Sequence, residues 1–349
     1  MDSSCAYDCI AVVGTGGLGW HILASLLQTK RLRVRAVTRA NGDPAKQRRL
    51  SKLRALGADV IEYDTPTCAS FARAFAGVHT VISAVGMAGV DAQLAMVDGV
   101  LAAGVRWFVP SEFGVAHYAS AWLPVASPLE PKRRVRRYLA EHAQPRGMAH
   151  TVVYTGLALD YLDPSSLGLK LGSRSATLVG RGGSPVSFTA LADIVALATQ
   201  IALRPREFCN RTVRFAGSTA KLRELVKIVT NGDRGENVKI VSIDEAKLKF
   251  CELARRQDVR AFQIYSRLLI EEGLGQVNRD KEPLDNALFP ELAPEHVRGT
   301  LARLLLRAEH AHASEDEGSS GPKDVPAHRA ATDMSVTDGL GRPHNGIDL

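Results

Sequence analysis

The sequence predicts an α/β chain built on a doubly wound parallel sheet, followed by a smaller α/β region. Two observations carry this expectation. Across the first half, short β-branched runs alternate with segments whose apolar residues recur at helical spacing, the pattern of right-handed βαβ units. The central runs are also apolar throughout rather than alternating, as strands become when helices cover both faces of a sheet.

In chain order, strands are expected at Ile10–Val13, Val34–Thr38, Val60–Glu62, Val81–Ser83, Trp107–Val109 and Thr151–Tyr154. The helical patterns between them are centred on His21–Thr29, Ala45–Leu56, Ala69–Phe75, Gln93–Ala103 and Lys132–His142. From about Leu157 the rhythm loosens. Short strands at Ala176–Val179, Val186–Thr189 and Arg211–Phe215 mix with helices at Leu191–Leu203, Lys221–Val229 and Ala254–Glu272. The expected division is therefore residues 6–156 for the sheet domain, 157–311 for a region over its carboxyl ends that also returns strands to the sheet, and 312–349 for a polar tail. That tail contains too little apolar surface to order itself.

Composition narrows the class. The 349 residues are 45% hydrophobic and 23% charged, ordinary for a globular chain. No apolar run approaches the ~20 residues of a membrane helix, and Met1-Asp2-Ser3-Ser4 lacks a basic leader, so a cytoplasmic location without membrane attachment is expected. Five scattered cysteines without a CxxC pair argue against a disulfide framework and against zinc. The net charge of +7 is spread along the chain except at Lys132-Arg133-Arg134-Val135-Arg136-Arg137. A nucleotide cofactor accounts for positive potential as well as a nucleic acid does, and no nucleic-acid partner is expected. One complete cleft per chain is compatible with a monomer or a homodimer.

The turn Gly14-Thr15-Gly16-Gly17-Leu18-Gly19 sits between the first strand and the first helix. There its glycines let the backbone turn sharply and approach a pyrophosphate, whose charge rests on free N–H groups at the helix N-terminus. This makes the sheet Rossmann-like. Dinucleotide folds that take NAD place a carboxylate at the end of the second strand; here that strand ends in Thr38-Arg39. A guanidinium at Arg39 suits a 2′-phosphate, and Lys46 is a second candidate cation. NADPH is the expected cofactor. Ser83, Ala84 and Val85 end the fourth strand, where such folds pass adenosine and ribose.

The proton donor is not the usual Tyr-x-x-x-Lys: none of Tyr7, Tyr63, Tyr118, Tyr138, Tyr154, Tyr161 and Tyr265 has lysine four residues on. Instead, Pro110-Ser111-Glu112-Phe113-Gly114, Lys132-Arg133-Arg134-Val135-Arg136-Arg137, Thr38-Arg39, Ser83-Ala84-Val85-Gly86, Gln93 and Ser187-Phe188-Thr189 with Asp193-Ile194 occur together in one order. This set resembles the isoflavone reductase-like group of the NmrA-like family. The resemblance implies that Lys132 is the general acid/base beside the nicotinamide, its pKa lowered by burial and by the neighbouring arginines. It implies cofactor contacts from Gln93, Ser111, Glu112, Phe113, Thr155, Gly156 and Leu157. Glu112 is read either as a catalytic carboxylate or as the residue that fixes its turn. Val115, His117, Tyr118 and Tyr161 are the candidates to line the substrate cleft. Two departures stand out: Val13 occupies the family's usual first glycine position, and Leu157 stands where a phenylalanine is common.

The resemblance implies hydride transfer from NADPH to a small aromatic or polycyclic substrate. Two other readings stay open at this point: a cofactor-dependent cyclisation or rearrangement without net reduction, and a non-catalytic dinucleotide-sensing regulator.

Overall fold

The computed structural model describes residues 8–116, 127–161, 164–232, 237–278 and 282–317. The first half alternates as expected: β1 (Cys9–Val13), α1 (Gly17–Thr29), β2 (Arg33–Arg39), α2 (Pro44–Ala55), β3 (Asp59–Tyr63), α3 (Cys68–Ala74), β4 (Thr80–Ser83), α4 (Ala92–Ala102), β5 (Trp107–Val109), α5 (Glu130–Tyr138) and β6 (Ala149–His150). The parallel strands lie in the order β3-β2-β1-β4-β5-β6, that of a dinucleotide-binding sheet with its switch point between β1 and β4.

Every residue of β1 is buried because both faces of the sheet are covered. Ile10 and Val12 point to one side, into a core completed by Ile22, Leu23 and Leu26 of α1 and Leu50 and Leu53 of α2. Cys9, Ala11 and Val13 point to the other, against Phe71 of α3, Val97 and Val100 of α4, and Val135 of α5. The period of two along the strand thus feeds two separate cores.

The strand expected at Thr151–Tyr154 is split. β7 (Val152–Tyr154) leaves the six-stranded sheet and pairs in parallel with β11 (Thr212–Arg214). Thr151 marks the switch: its hydroxyl accepts from Trp107 Nε1 at 2.8 Å and donates to the Phe208 carbonyl at 2.5 Å.

Beyond it come β8 (Leu169–Lys170), β9 (Ser175–Val179), β10 (Pro185–Phe188), α6 (Leu191–Leu203), α7 (Pro205–Phe208), then β11, β12 (Ser218–Lys221), α8 (Leu222–Val229), β13 (Val238–Val241), α9 (Ile243–Arg255), α10 (Arg260–Glu271) and α11 (Val297–Glu317). The helix α6 returns to the first half, where Leu197 and Ile201 join the α1 side of the core.

Two sequence expectations need correction here. The helix expected over Ala254–Glu272 is α10, which starts only at Arg260. Ala254 and Arg255 end a separate, unexpected helix, α9, and between the two Gln257 takes a left-handed φ of 54° and Asp258 accepts from Arg260 N at 2.9 Å. Residues 312–317, expected to open the tail, are the last part of α11, which runs to Glu317. Leu301 and Leu305 bury one face of that helix, and neither glycine nor proline follows them until Gly318. Among the described residues no helix is long and apolar enough to cross a membrane.

Candidate active site

The carboxyl ends of β1, β2, β4 and β5 lie along one edge of the parallel sheet, and the two ends of that edge are built differently. At the glycine-rich turn the work is done by backbone. Gly14 has φ +103°, and a Cβ there would meet the Ala84 carbonyl oxygen at 2.7 Å. A Cβ on Gly19 would overlap the Gly14 carbonyl and touch Ala84 Cβ at 3.3 Å. Gly16 is different: a Cβ there would meet no protein atom within 4 Å. The first and last glycines are therefore required by packing, while the middle one faces open space, where a phosphate approaches in this kind of turn.

Thr15 ties the turn to β2, its hydroxyl donating to Thr38 Oγ1 at 3.2 Å. Leu18 is half-buried against the α1 side of the core. Ser83 is fully buried at the end of β4, and its hydroxyl has no hydrogen-bond partner among the described residues.

Arg39 ends β2 with its side chain exposed. Lys46, expected as a second cation, is buried instead; its ammonium donates to the Arg39 backbone carbonyl. Burial lowers its pKa, an effect that Glu62 opposes. Lys46 therefore supports the turn that carries Arg39.

At the other end, α5 presents Lys132. The helix enters through Ser127, whose hydroxyl shares a 2.7 Å hydrogen bond with the Tyr265 hydroxyl of α10 and accepts from Leu129 N at 3.2 Å. Lys132 Nζ donates to the Glu112 backbone carbonyl at 2.7 Å. The ammonium is enclosed by protein although the side chain as a whole is only half-buried. Desolvation pulls its pKa down, and the Glu112 carboxylate pulls the other way.

The neighbouring arginines do not share in this lowering, a correction to the sequence expectation. Their side chains are engaged elsewhere: Arg133 and Arg137 pair with Glu130, Arg134 pairs with Asp91, and Arg136 donates to the Tyr154 hydroxyl.

The loop carrying Glu112 is itself clamped. Ser111 N donates to Gln93 Oε1 at 2.8 Å, and Ser111 Oγ donates to the Val85 carbonyl at 2.8 Å. Gln93 and Ser111 thus staple the loop after β5 to the loop after β4. Phe113 sits at φ 26°, a left-handed backbone that L residues rarely adopt. Glu112 is buried and its charge helps push Tyr154 up to about 12, after burial as the main cause.

The sequence reading missed the Arg136–Tyr154 pair. The available signal was spacing, since Arg136 lies one helical turn after Lys132 and shares its face.

Thr155, Gly156 and Leu157 close the cleft from the side. Thr155 and Gly156 donate their N–H groups to the Gly114 carbonyl at 3.0 and 3.1 Å, and Leu157 N donates to Ser187 O at 2.8 Å. Gly156, at φ +71°, lets β10 pass so close that a Cβ would lie 2.6 Å from the Ser187 carbonyl carbon. The Thr155 hydroxyl is buried without a partner among the described residues. Val115 follows this junction, half-buried. His117 and Tyr118 lie outside the described residues. Tyr161 is not in the substrate region's core; its ring lies against Gly17.

The fold is that of a Rossmann-type α/β protein, with Lys132 held on the Glu112 carbonyl beside the carboxyl edge of its sheet. The chain belongs to the NmrA-like family, which it matches over residues 7–271. It is 30% identical over 221 residues to the oxidoreductase aprR of Aspergillus flavus, covering 62% of this chain and 71% of that protein. It is 29% identical over 228 residues to phenylcoumaran benzylic ether reductase PT1 of Pinus taeda, covering 63% and 73%. Among solved structures, the binary complex of leucoanthocyanidin reductase with NADPH from Vitis vinifera superposes with a TM-score of 0.69 at 19% identity, covering 85% of this chain and 99% of that one.

Proposed function

We propose that this chain is an NADPH-dependent reductase of small aromatic or polycyclic molecules, with Lys132 as its general acid/base. One observation carries the reading: a lysine whose ammonium is desolvated and fixed at 2.7 Å on the Glu112 carbonyl, at the carboxyl edge of a dinucleotide-type sheet. An ordinary lysine, with a pKa near 10.4, is a poor proton-transfer catalyst at neutral pH. Lowering that value brings it toward the range where both protonation states are useful.

The residues present fit the cofactor. Among the described residues nothing stands within 4 Å of a Cβ on Gly16 and the buried Ser83 and Thr155 hydroxyls have no partner, while Arg39 is exposed at the end of β2 with its backbone held by Lys46. Arg39 would grip the 2′-phosphate and the turn would seat the diphosphate. NADPH, when bound, supplies the hydride. The protein's own part is to exclude water around Lys132, to hold that ammonium by the Glu112 carbonyl, and to deliver its proton to the substrate atom that gains negative charge. The substrate class is supported by the aromatic compounds named for the plant relatives, a phenylcoumaran benzylic ether and a leucoanthocyanidin.

Lys132→Ala tests the assignment. Turnover of an accepted substrate, followed by loss of NADPH absorbance, should fall by about 10²- to 10⁴-fold while NADPH affinity stays close to wild type. Equal turnover in the two proteins would refute it.

A further inference from the structure

Tyr161 belongs by sequence to the segment after β7, yet its side chain crosses to the glycine-rich turn. A Cβ on Gly17 would stand 2.9 Å from both Cε2 and Cζ of the Tyr161 ring, and closer still to its hydroxyl. Gly17 is the first residue of α1, where the helix's free N–H groups gather and anions are favoured.

The ring is held there from behind. Tyr161 N donates to the Ala158 carbonyl at 3.2 Å. The preceding Asp160 accepts from Leu191 N, at the start of α6, at 2.9 Å and lies 3.6 Å from Arg303 of α11. Among the described residues no group hydrogen-bonds the Tyr161 hydroxyl. The turn from Gly14 to Gly19 carries no cation, and its one side-chain hydroxyl, on Thr15, is engaged by Thr38.

We propose that Tyr161 is a cofactor-binding residue supplied by the substrate region, its phenolic O–H donating to the dinucleotide's diphosphate over the turn. The assignment rests on the NADPH reading above. It gives the diphosphate a side-chain donor in a cradle otherwise made of backbone, and it makes cofactor binding depend on the segment 157–161.

The test is to titrate NADPH and NADH into the full chain, its Tyr161→Phe variant and its Tyr161→Ala variant, following ligand fluorescence. The expected result is that Tyr161→Phe weakens both dinucleotides by the same factor, about ten-fold, because both carry the diphosphate. Tyr161→Ala should be at least as weak. Wild-type affinity in Tyr161→Phe overturns the assignment. A loss confined to NADPH also overturns it, since that places the hydroxyl at the 2′-phosphate. Tighter binding by Tyr161→Ala would make the ring an obstruction instead. A wild-type chain that binds neither dinucleotide overturns the functional reading itself, whereas normal wild-type binding with an unaffected Phe variant overturns only the role of Tyr161.

Discussion

The two ends of the sheet's carboxyl edge are built by opposite means. At the glycine-rich turn, specificity comes from shape: φ +103° at Gly14, a close crossing of Ala84, and open space at Gly16. At α5 it comes from ionisable groups taken out of water, with Lys132 against the Glu112 carbonyl and Arg136 on Tyr154. A steric cradle has no titration of its own, whereas a desolvated ammonium changes character with every neighbour and with pH. Substitutions at the turn should therefore act through fold and affinity, and substitutions at α5 through rate and pH.

The largest separation of the two ends is the loss of turnover in Lys132→Ala with cofactor affinity kept. Next comes Arg39→Ala, which should remove the preference for NADPH over NADH by about 10- to 100-fold. Titrating both dinucleotides reads this, and an unchanged ratio would remove Arg39 from the 2′-phosphate site.

Within the turn, Gly14→Ala and Gly16→Ala should differ. Alanine at 14 meets both a forbidden φ and the Ala84 carbonyl at 2.7 Å, a cost of roughly 1–3 kcal/mol, visible as a lower Tm without any ligand. Alanine at 16 fits the extended backbone there, φ −97° and ψ 169°. It should leave Tm near wild type while weakening NADPH binding. Equal Tm in the two variants would break the contrast between packing and ligand glycines.

The smallest effect is on stability. Burial holds the folded-state pKa of Lys132 below its unfolded value, so the unfolded chain binds more protons and stability rises with pH up to about 10.4. Lys132→Met escapes that cost. It should be more stable than wild type near pH 7, with the advantage shrinking as pH approaches 10; chemical denaturation at both values measures this.

The parts legible in the sequence were those where one residue type has one physical use. Alternation of Cys9, Ala11 and Val13 with Ile10 and Val12 announces a strand covered on both faces, and a glycine turn between strand and helix announces the cradle. Less legible were contacts to backbone carbonyls. Lys46 on Arg39 and Lys132 on Glu112 both donate to main-chain oxygens, which every residue carries and no pattern distinguishes.

The break between α9 and α10 was hidden for a related reason: Arg255-Arg256-Gln257-Asp258 contains neither glycine nor proline, and Gln257 takes the left-handed turn itself. Strand β12, Ser218–Lys221, contains no β-branched run and was not among the expected strands. Tyr161 was assigned to the substrate cleft because its sequence position lies there, while its reach to Gly17 is a property of the fold.

The junction at Gly114 has one more consequence. Its carbonyl accepts from Thr155 and Gly156, while Leu157 exchanges hydrogen bonds with β10, donating to Ser187 and accepting from Thr189 N at 3.0 Å. A continuous seam of main-chain bonds therefore runs from the sheet domain into the region beyond it. Hinged opening along that line would strip paired backbone groups, each expensive to leave unmade.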